Sequence, residues 1–186
     1  IFPVREPGIP INIKNTRDPA SPGTMIVAAR DAKEPVCGIA GHAGFAMINI
    51  AKTLMNKEVG FGLRVLEVLQ RRGINFEHIA TGIDTMSVIV KGDELHGAGD
   101  TIIDEIKRLC QPDSVALTPG LAMVATVGQG MAGHVGVAAK LCGALANANV
   151  NIRVIDQGSS ENNIIIGVED KDLPTAVKAI HHAFAG

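Results

Sequence analysis

The sequence predicts an α+β protein made of two copies of one βαββαβ unit, the first inserted within the second. Three observations predict it. The chain matches itself when shifted by 76 positions, and both copies carry strand and helix periodicities in the same order. In addition, the second copy lacks a last strand, while an unassigned strand-like stretch lies upstream of the first.

The shift aligns 46–90 with 122–166 without a gap, and ten of the 45 positions are identical: Ala46, Met47, Met55, Val59, Gly60, Leu69, Asn75, Ile79, Gly82 and Ile89. Arg64 with Lys140 and Ile74 with Val150 pair conservatively. In the first copy an apolar strand over 45–50 leads through a loop into a helix. Phe61, Val65, Val68 and Leu69 share one face of that helix, and Arg64, Glu67 and Arg71 share the other. Glu67 and Arg71, four apart, pair on the solvated side for a few tenths of a kcal/mol. Strands over 76–80 and 86–90 follow, then a helix over 101–110 with Asp100 as its expected N-cap, then a strand over 114–118.

The second copy repeats the plan. Its strand covers 122–127, its first helix carries Val137, Leu141 and Leu145, its hairpin strands cover 152–155 and 163–168, and its second helix runs over 173–184 with Asp172 as cap. Residues 36–41 are apolar and of strand length, and they are expected to fill the open edge of the second sheet, which would otherwise invite aggregation. Each copy is thus ferredoxin-like, with helices on one face of an antiparallel sheet. The expected division is 1–35 as the tail of a preceding domain plus linker, 45–119 as the first unit, and 36–42 plus 120–186 as the second. Residues 1–35 hold six of the nine prolines and the turn signal Pro22-Gly23.

Composition excludes several functions. With 46% hydrophobic and 19% charged residues the chain folds into a core. It has no Trp or Tyr, five Phe and a net charge of −2, so it offers neither a stacking platform nor a basic field, and nucleic acid is excluded as a partner. No apolar run approaches the roughly 20 residues of a bilayer span, so no membrane association is expected. Cys37, Cys110 and Cys142 are far apart and odd in number, and they read as reduced, buried thiols of a cytoplasmic protein. The six histidines, His181 and His182 among them, show no metal spacing and are expected on helix surfaces. The chain starts at Ile1-Phe2-Pro3 without Met, as a fragment would.

The run Leu54-Met55-Asn56-Lys57-Glu58-Val59-Gly60-Phe61-Gly62, with Phe76-Glu77-His78 and Gly82-Ile83-Asp84, resembles the first ACT domain of monofunctional aspartate kinases. Asn151-Ile152, Gln157-Gly158-Ser159-Ser160 and Asn162-Asn163-Ile164 resemble their second ACT domain. Ile1-Phe2-Pro3, Ile9-Pro10-Ile11, Lys14-Asn15-Thr16 and Pro22-Gly23-Thr24 resemble the end of their catalytic domain. The resemblance implies a parent enzyme that uses ATP and Mg to phosphorylate L-aspartate to 4-phospho-L-aspartate, the first step toward lysine, threonine and methionine. It also implies that end products bind the ACT domains and lower activity. The family's Lys-Phe-Gly-Gly-type phosphate-binding segment is absent. The fragment alone is therefore expected to be inactive, with no catalytic residue, metal or cofactor of its own.

A free amino acid presents a carboxylate and an ammonium on one carbon. Backbone N–H groups at a strand-to-helix loop suit the carboxylate. The loop over 55–62 has that position, so Met55, Asn56, Glu58, Val59, Gly60, Phe61 and Gly62 are candidates, joined by Phe76, Glu77, Gly82 and Asp84 on or beside the adjacent strand. Three acids, Glu58, Glu77 and Asp84, gathered around one pocket would favour lysine over threonine. The plainer readings stand beside these: Glu77 as a solvated or dimer-lining carboxylate, Asp84 as a turn residue, Phe61 as core. Gln157 and Asn162 are candidates in the second copy, for a ligand or for a neighbouring subunit. A homodimer through the ACT domains, with the effector bridging subunits, is expected. Gly128-Gln129-Gly130-Met131-Ala132-Gly133 fits a dinucleotide-binding glycine pattern, with Asp156 downstream. The expected antiparallel hairpins oppose that reading, and a purely structural dimerisation unit is the other alternative.

Overall fold

The structure is a computed structural model and describes residues 2–27 and 34–185. The chain divides into two compact bodies, Ile1–Lys33 and Glu34–Gly186. In the first, a one-turn helix α1 (Phe2–Arg5) precedes an antiparallel pair, β1 (Ile11–Ile13) and β2 (Thr24–Ile26), with Asn12 opposite Met25. Gly23 has φ 75, and a Cβ there would sit 2.5 Å from the Ile13 carbonyl oxygen, so glycine alone closes this pair. Residues 28–33 of the expected linker lie outside the described residues.

In the second body the elements are β3 (Gly38–Ala51), α2 (Phe61–Gln70), β4 (Phe76–Thr81), β5 (Thr85–Lys91), α3 (Gly99–Cys110), β6 (Ser114–Val127), α4 (Val137–Asn147), β7 (Val154–Asp156), β8 (Asn163–Glu169) and α5 (Leu173–Phe184). The strands form a wholly antiparallel sheet in the order β4-β5-β3-β6-β8-β7. Two βαββαβ units share it, because β3 and β6 are long enough to serve both. Residues 45–51 of β3 pair with β5 on one side and with 114–121 of β6 on the other. Residues 38–42 of β3 pair instead with 123–127 of β6, whose far side carries β8. The register shifts twice between His42 and Ala46, where the strand passes from one unit to the other.

The strand foreseen over 36–41 therefore lies at the edge of the second unit, with Cys37 N–H donating to Val127 O at 2.8 Å. It is continuous with the first unit's opening strand rather than separate from it. Alternation along the strands sends Ile48 and Ile50 under α2 and α3, where they meet Val65, Leu69, Ile102 and Ile106 in one core. Val124, Ile164 and Ile166 meet Leu141, Leu145 and Ile180 in a second. Each such fully buried side chain contributes about 1.5–3 kcal/mol. A third cluster, Phe45, Met47, Ile89, Leu121 and Val154, lies on the helix-free face and ties the units together.

Several local expectations need correction. Asp100 lies within the first turn of α3, with Ala98 at the N-cap, because the helix starts at Gly99. Asp172 occupies the N-cap of α5 but makes no capping hydrogen bond, and Pro174 sets the helix start. Cys110 is buried but Cys142 is half-buried and Cys37 exposed, since Cys37 precedes an edge strand. Only His181 and His182 sit exposed on a helix; His42 and His78 are strand residues. The Glu67–Arg71 pair forms at 3.6 Å, and Arg71 and Arg72 also reach Glu105 on α3 at 3.5 and 2.8 Å.

Candidate functional site

The first helices of the two units start alike. A left-handed glycine is the N-cap of each, Gly60 (φ 79) before α2 and Gly136 (φ 95) before α4, 76 residues apart. Glycine has no side chain to accept the first-turn N–H groups, so the positive end of each helix faces its loop without a side-chain cap, although in α2 the Phe61 N–H donates to Glu58 O at 3.3 Å. A Cβ on Gly60 would meet only Arg64 Nη1 at 3.7 Å, and on Gly136 nothing within 4 Å. The backbone angle, not packing, demands these glycines. Gly62, inside α2, has no such need: its Cβ would touch Met86 Cε at 3.9 Å.

The loop before α2 is bound to the β4–β5 turn. Lys52 N–H donates to Asp84 O at 2.9 Å, and Asn56 N–H to Ile83 O at 3.1 Å. The Asp84 carboxylate accepts the Leu54 N–H at 2.7 Å, and Gly82 N–H closes the turn on Thr85 O at 2.7 Å. Met55 and Phe61 are buried in the first core and form the floor of the loop, while Asn56 and Val59 are exposed, Val59 at 96%. Asp84 is thus a loop fastener rather than a free acid.

Glu58 is also engaged. Its carboxylate pairs with Lys52 at 3.0 Å and with Arg64, and the Lys52 hydrogen bond holds its pKa below the ordinary value. Lys52 further donates to Cys110 O and Gln111 O, at 2.9 and 3.1 Å, at the negative end of α3. The Phe61 ring lies 5.7 Å from Lys52 Nζ and 5.9 Å from Arg64 Cζ. Next to this cluster Asp113 accepts the Thr53 hydroxyl at 2.7 Å and its N–H at 2.6 Å, which lowers the Asp113 pKa. Lys52 and Arg64 flank Glu58 beside the first turn of α2, while the Asp84 and Asp113 carboxylates are held by Leu54 and Thr53.

Phe76 and Glu77 are not brought to this loop. The loop end of the sheet is where Ala51 faces Thr85 and Thr81 faces Met86; Phe45 faces Lys91 and Phe76 faces Val90 at the other end. There Glu77 pairs with Lys91 at 3.2 Å and raises the Lys91 pKa. Within one chain the three acids therefore do not surround one pocket, because β4 runs in the direction of β3 and starts where β3 has already passed. In the second unit Gln157 and Asn162 are exposed, and Asn162 contributes its carbonyl to Gly128 N–H at 2.9 Å.

Sequence reasoning passed over Lys52, Arg64, Asp113 and Glu161. Glu161, one position past Ser160, which the repeat aligns with Asp84, makes an analogous contact: its carboxylate accepts the loop N–H of Gly133 at 2.7 Å. An acid in each hairpin turn was the available signal. The glycine pattern at 128–133 serves the fold. A Cβ on Gly128 would collide with the Pro35 carbonyl, and every strand pair is antiparallel, so the parallel crossover that a dinucleotide site requires is missing among the described residues. Among the described residues no group of three His, Cys, Asp or Glu side chains is placed to hold a metal, and no helix is long and apolar enough to cross a membrane.

A family model of the ACT domain matches residues 124–184. Aspartokinase 3 of Bacillus subtilis is 39% identical over 99% of this chain, which spans 41% of that relative's length. The crystal structure of Clostridium acetobutylicum aspartate kinase superposes with a TM-score of 0.93 at 49% identity, over 99% of this chain and 43% of that one. The regulatory subunit of aspartate kinase from Thermus flavus is matched over 99% of its own length and 81% of this chain, at 26% identity and a TM-score of 0.70. Escherichia coli aspartokinase III, in complex with lysine and aspartate, shares the fold at 23% identity and a TM-score of 0.77, over 100% of this chain and 41% of that one. The chain is thus similar over nearly its whole length to the ACT-domain regulatory region of aspartokinases, and it spans about two-fifths of the length of the full aspartokinases it matches.

Proposed function

We propose that this region senses an end-product amino acid, lysine foremost and threonine second, for feedback inhibition of a parent enzyme that phosphorylates L-aspartate with ATP and Mg. In this reading residues 1–35 are the tail of the catalytic domain and its linker. Residues 45–119 form one sensor, and 36–42 with 120–186 form the other. The observation that carries the proposal is the glycine-opened start of α2 beside the Lys52–Glu58–Arg64 cluster. The effector carboxylate binds the first-turn N–H groups, with Met55 and Phe61 beneath, Asn56, Val59 and Gly62 at the rim, and Gly82 and Asp84 along one side.

The remaining candidates come from a second copy. β4 is an edge strand, and antiparallel pairing with its twin places the start of one strand beside the end of the other. Phe76 and Glu77 of the second copy then close the site, and Glu77 meets the side-chain ammonium of lysine. The lysine complex of Escherichia coli aspartokinase III supports lysine over threonine. Gln157 and Asn162 flank the corresponding place in the second unit.

Calorimetric titration of the dimeric chain with lysine, threonine and methionine tests this. Lysine at 100 times its Kd should stabilise the fold by about 2.7 kcal/mol, and Gly60→Ala should weaken binding. Self-association without binding of any of the three overturns the proposal in favour of a structural dimerisation unit.

A further inference from the structure

β3 and β6 each run for 14 residues and pass through both units. The two cores beneath the helices have no residue in common. At the crossing Phe45 pairs with Leu121, the residue 76 positions on, so the approximate twofold axis of the repeat passes between the two strands there. Each strand enters that point through a left-handed glycine, Gly44 (φ 88) on β3 and Gly120 (φ 77) on β6, again 76 apart. A Cβ on either would meet nothing within 4 Å, so packing does not hold their backbone in place. The register of β3 against β6 shifts between His42 and Ala46 and at no other described pair.

On the helix-free side the crease between the units is not filled. A cleft of about 370 Å³ lies there, with Phe45 and His78 of the first unit on one side and Met123, Ala125 and Ile165 of the second on the other. Close-packed interiors leave few such spaces, and this one lies where two separately cored bodies meet.

We propose that the two units rock against each other about Gly44 and Gly120, closing and opening this crease, with Asp170 as a latch. Two neighbouring strand positions can absorb a change in φ and ψ without disturbing either core, which is what a hinge requires. Gly44 is tied to both units. Its N–H donates to the Asp170 carboxylate of the second unit at 3.1 Å, and its carbonyl accepts the Gly92 N–H of the first at 2.8 Å. The bond to Gly92 joins main chain to main chain, whereas the bond to Asp170 hangs on one side chain and is the one that rocking releases. Closing the crease on the helix-free face swings the helices of the two units apart on the other face, so the separation of α2 from α4 reports the motion. The hinge calls on no ligand and stands whether or not the loop over 55–62 binds lysine.

Spin labels on Gln70→Cys at the end of α2 and Ala146→Cys near the end of α4, both exposed positions, read this separation by pulsed electron resonance in frozen solution. Cys37→Ser and Cys142→Ala remove the accessible native thiols, and buried Cys110 stays. Dilution with unlabelled chain restricts the signal to distances within one chain. A pair inside the first unit, Gln70→Cys with Asp104→Cys, gives the width that label motion alone contributes. The distribution between units is expected to be at least about twofold wider than that of the control pair. Asp170→Ala should widen it further, and Ala125→Leu, which props the crease open, should remove the longer distances; melting curves establish that each variant folds. A distribution between units as narrow as the control, both in the starting protein and in Asp170→Ala, overturns the hinge. So does a wide distribution that neither folded variant changes.

Discussion

Replacing Gly41 with Ala puts the insertion of one unit in the other to a test of sign. Gly41 lies on the part of β3 that pairs with 123–127, and its φ is not left-handed. In an unobstructed strand, Gly→Ala at such a position stabilises by about 0.4–1 kcal/mol through the unfolded chain. Here a Cβ would lie 2.6 Å from Leu173 Cδ1 and 3.1 Å from Val177 Cγ2, both on α5. Overpacking of this kind costs about 1–3 kcal/mol. Leu173 can swing the end of its side chain, so a net loss of about 1–2 kcal/mol is expected once the gain from the unfolded state is subtracted. Urea unfolding at constant m-value measures it. Leu173→Ala should relieve the clash, so the double variant should be more stable than the sum of the two singles by at least about 0.5 kcal/mol. A neutral or stabilising Gly41→Ala, additive with Leu173→Ala, would refute the packing of this strand beneath the second unit's last helix.

Gly60→Ala and Gly136→Ala should each cost about 1–2 kcal/mol, from the left-handed backbone alone, in the same denaturation assay. Thr126 is fully buried, and its hydroxyl has no hydrogen-bond partner among the described residues. Thr126→Val should therefore raise stability by about 1 kcal/mol, read as a higher urea midpoint. Glu58 and Asp113 have folded pKa values below their ordinary 4.5 and 3.8, through Lys52 and Thr53 respectively. A lowered folded pKa means stability is full above those ordinary values and is lost as pH falls through the folded ones. Thermal melts should thus decline below about pH 4, and Asp113→Asn should make the decline shallower.

The repeat was legible because both copies keep the same faces: Leu69 and Leu145 are buried under their helices, and Ile89 and Ile165 lie on the helix-free side. What the shift could not reveal is that two foreseen strands are one, since the bulge at His42–Ala46 leaves no mark but Gly44. Caps misled because Asp100 has the right chemistry for an N-cap and the helix begins one residue before it. In the site, Gly60 was readable as a candidate from its place in the strand-to-helix loop, whereas its left-handed backbone and the charge state were not. Lys52 and Arg64 stand six residues either side of Glu58, and only folding turns that spacing into an ion cluster. Glu77 seemed near the loop because it follows the helix in sequence. Strand direction carries it to the far end of the sheet.

Hydrogen exchange of the chain with and without saturating lysine tests amino-acid sensing most directly, because it locates the ligand by amide. Slower exchange is predicted over 58–63, at the 82–84 turn and at 76–78, where the proposed second copy would meet the site. Unchanged exchange at all three, or protection confined to 128–136, would contradict a lysine site at the start of α2.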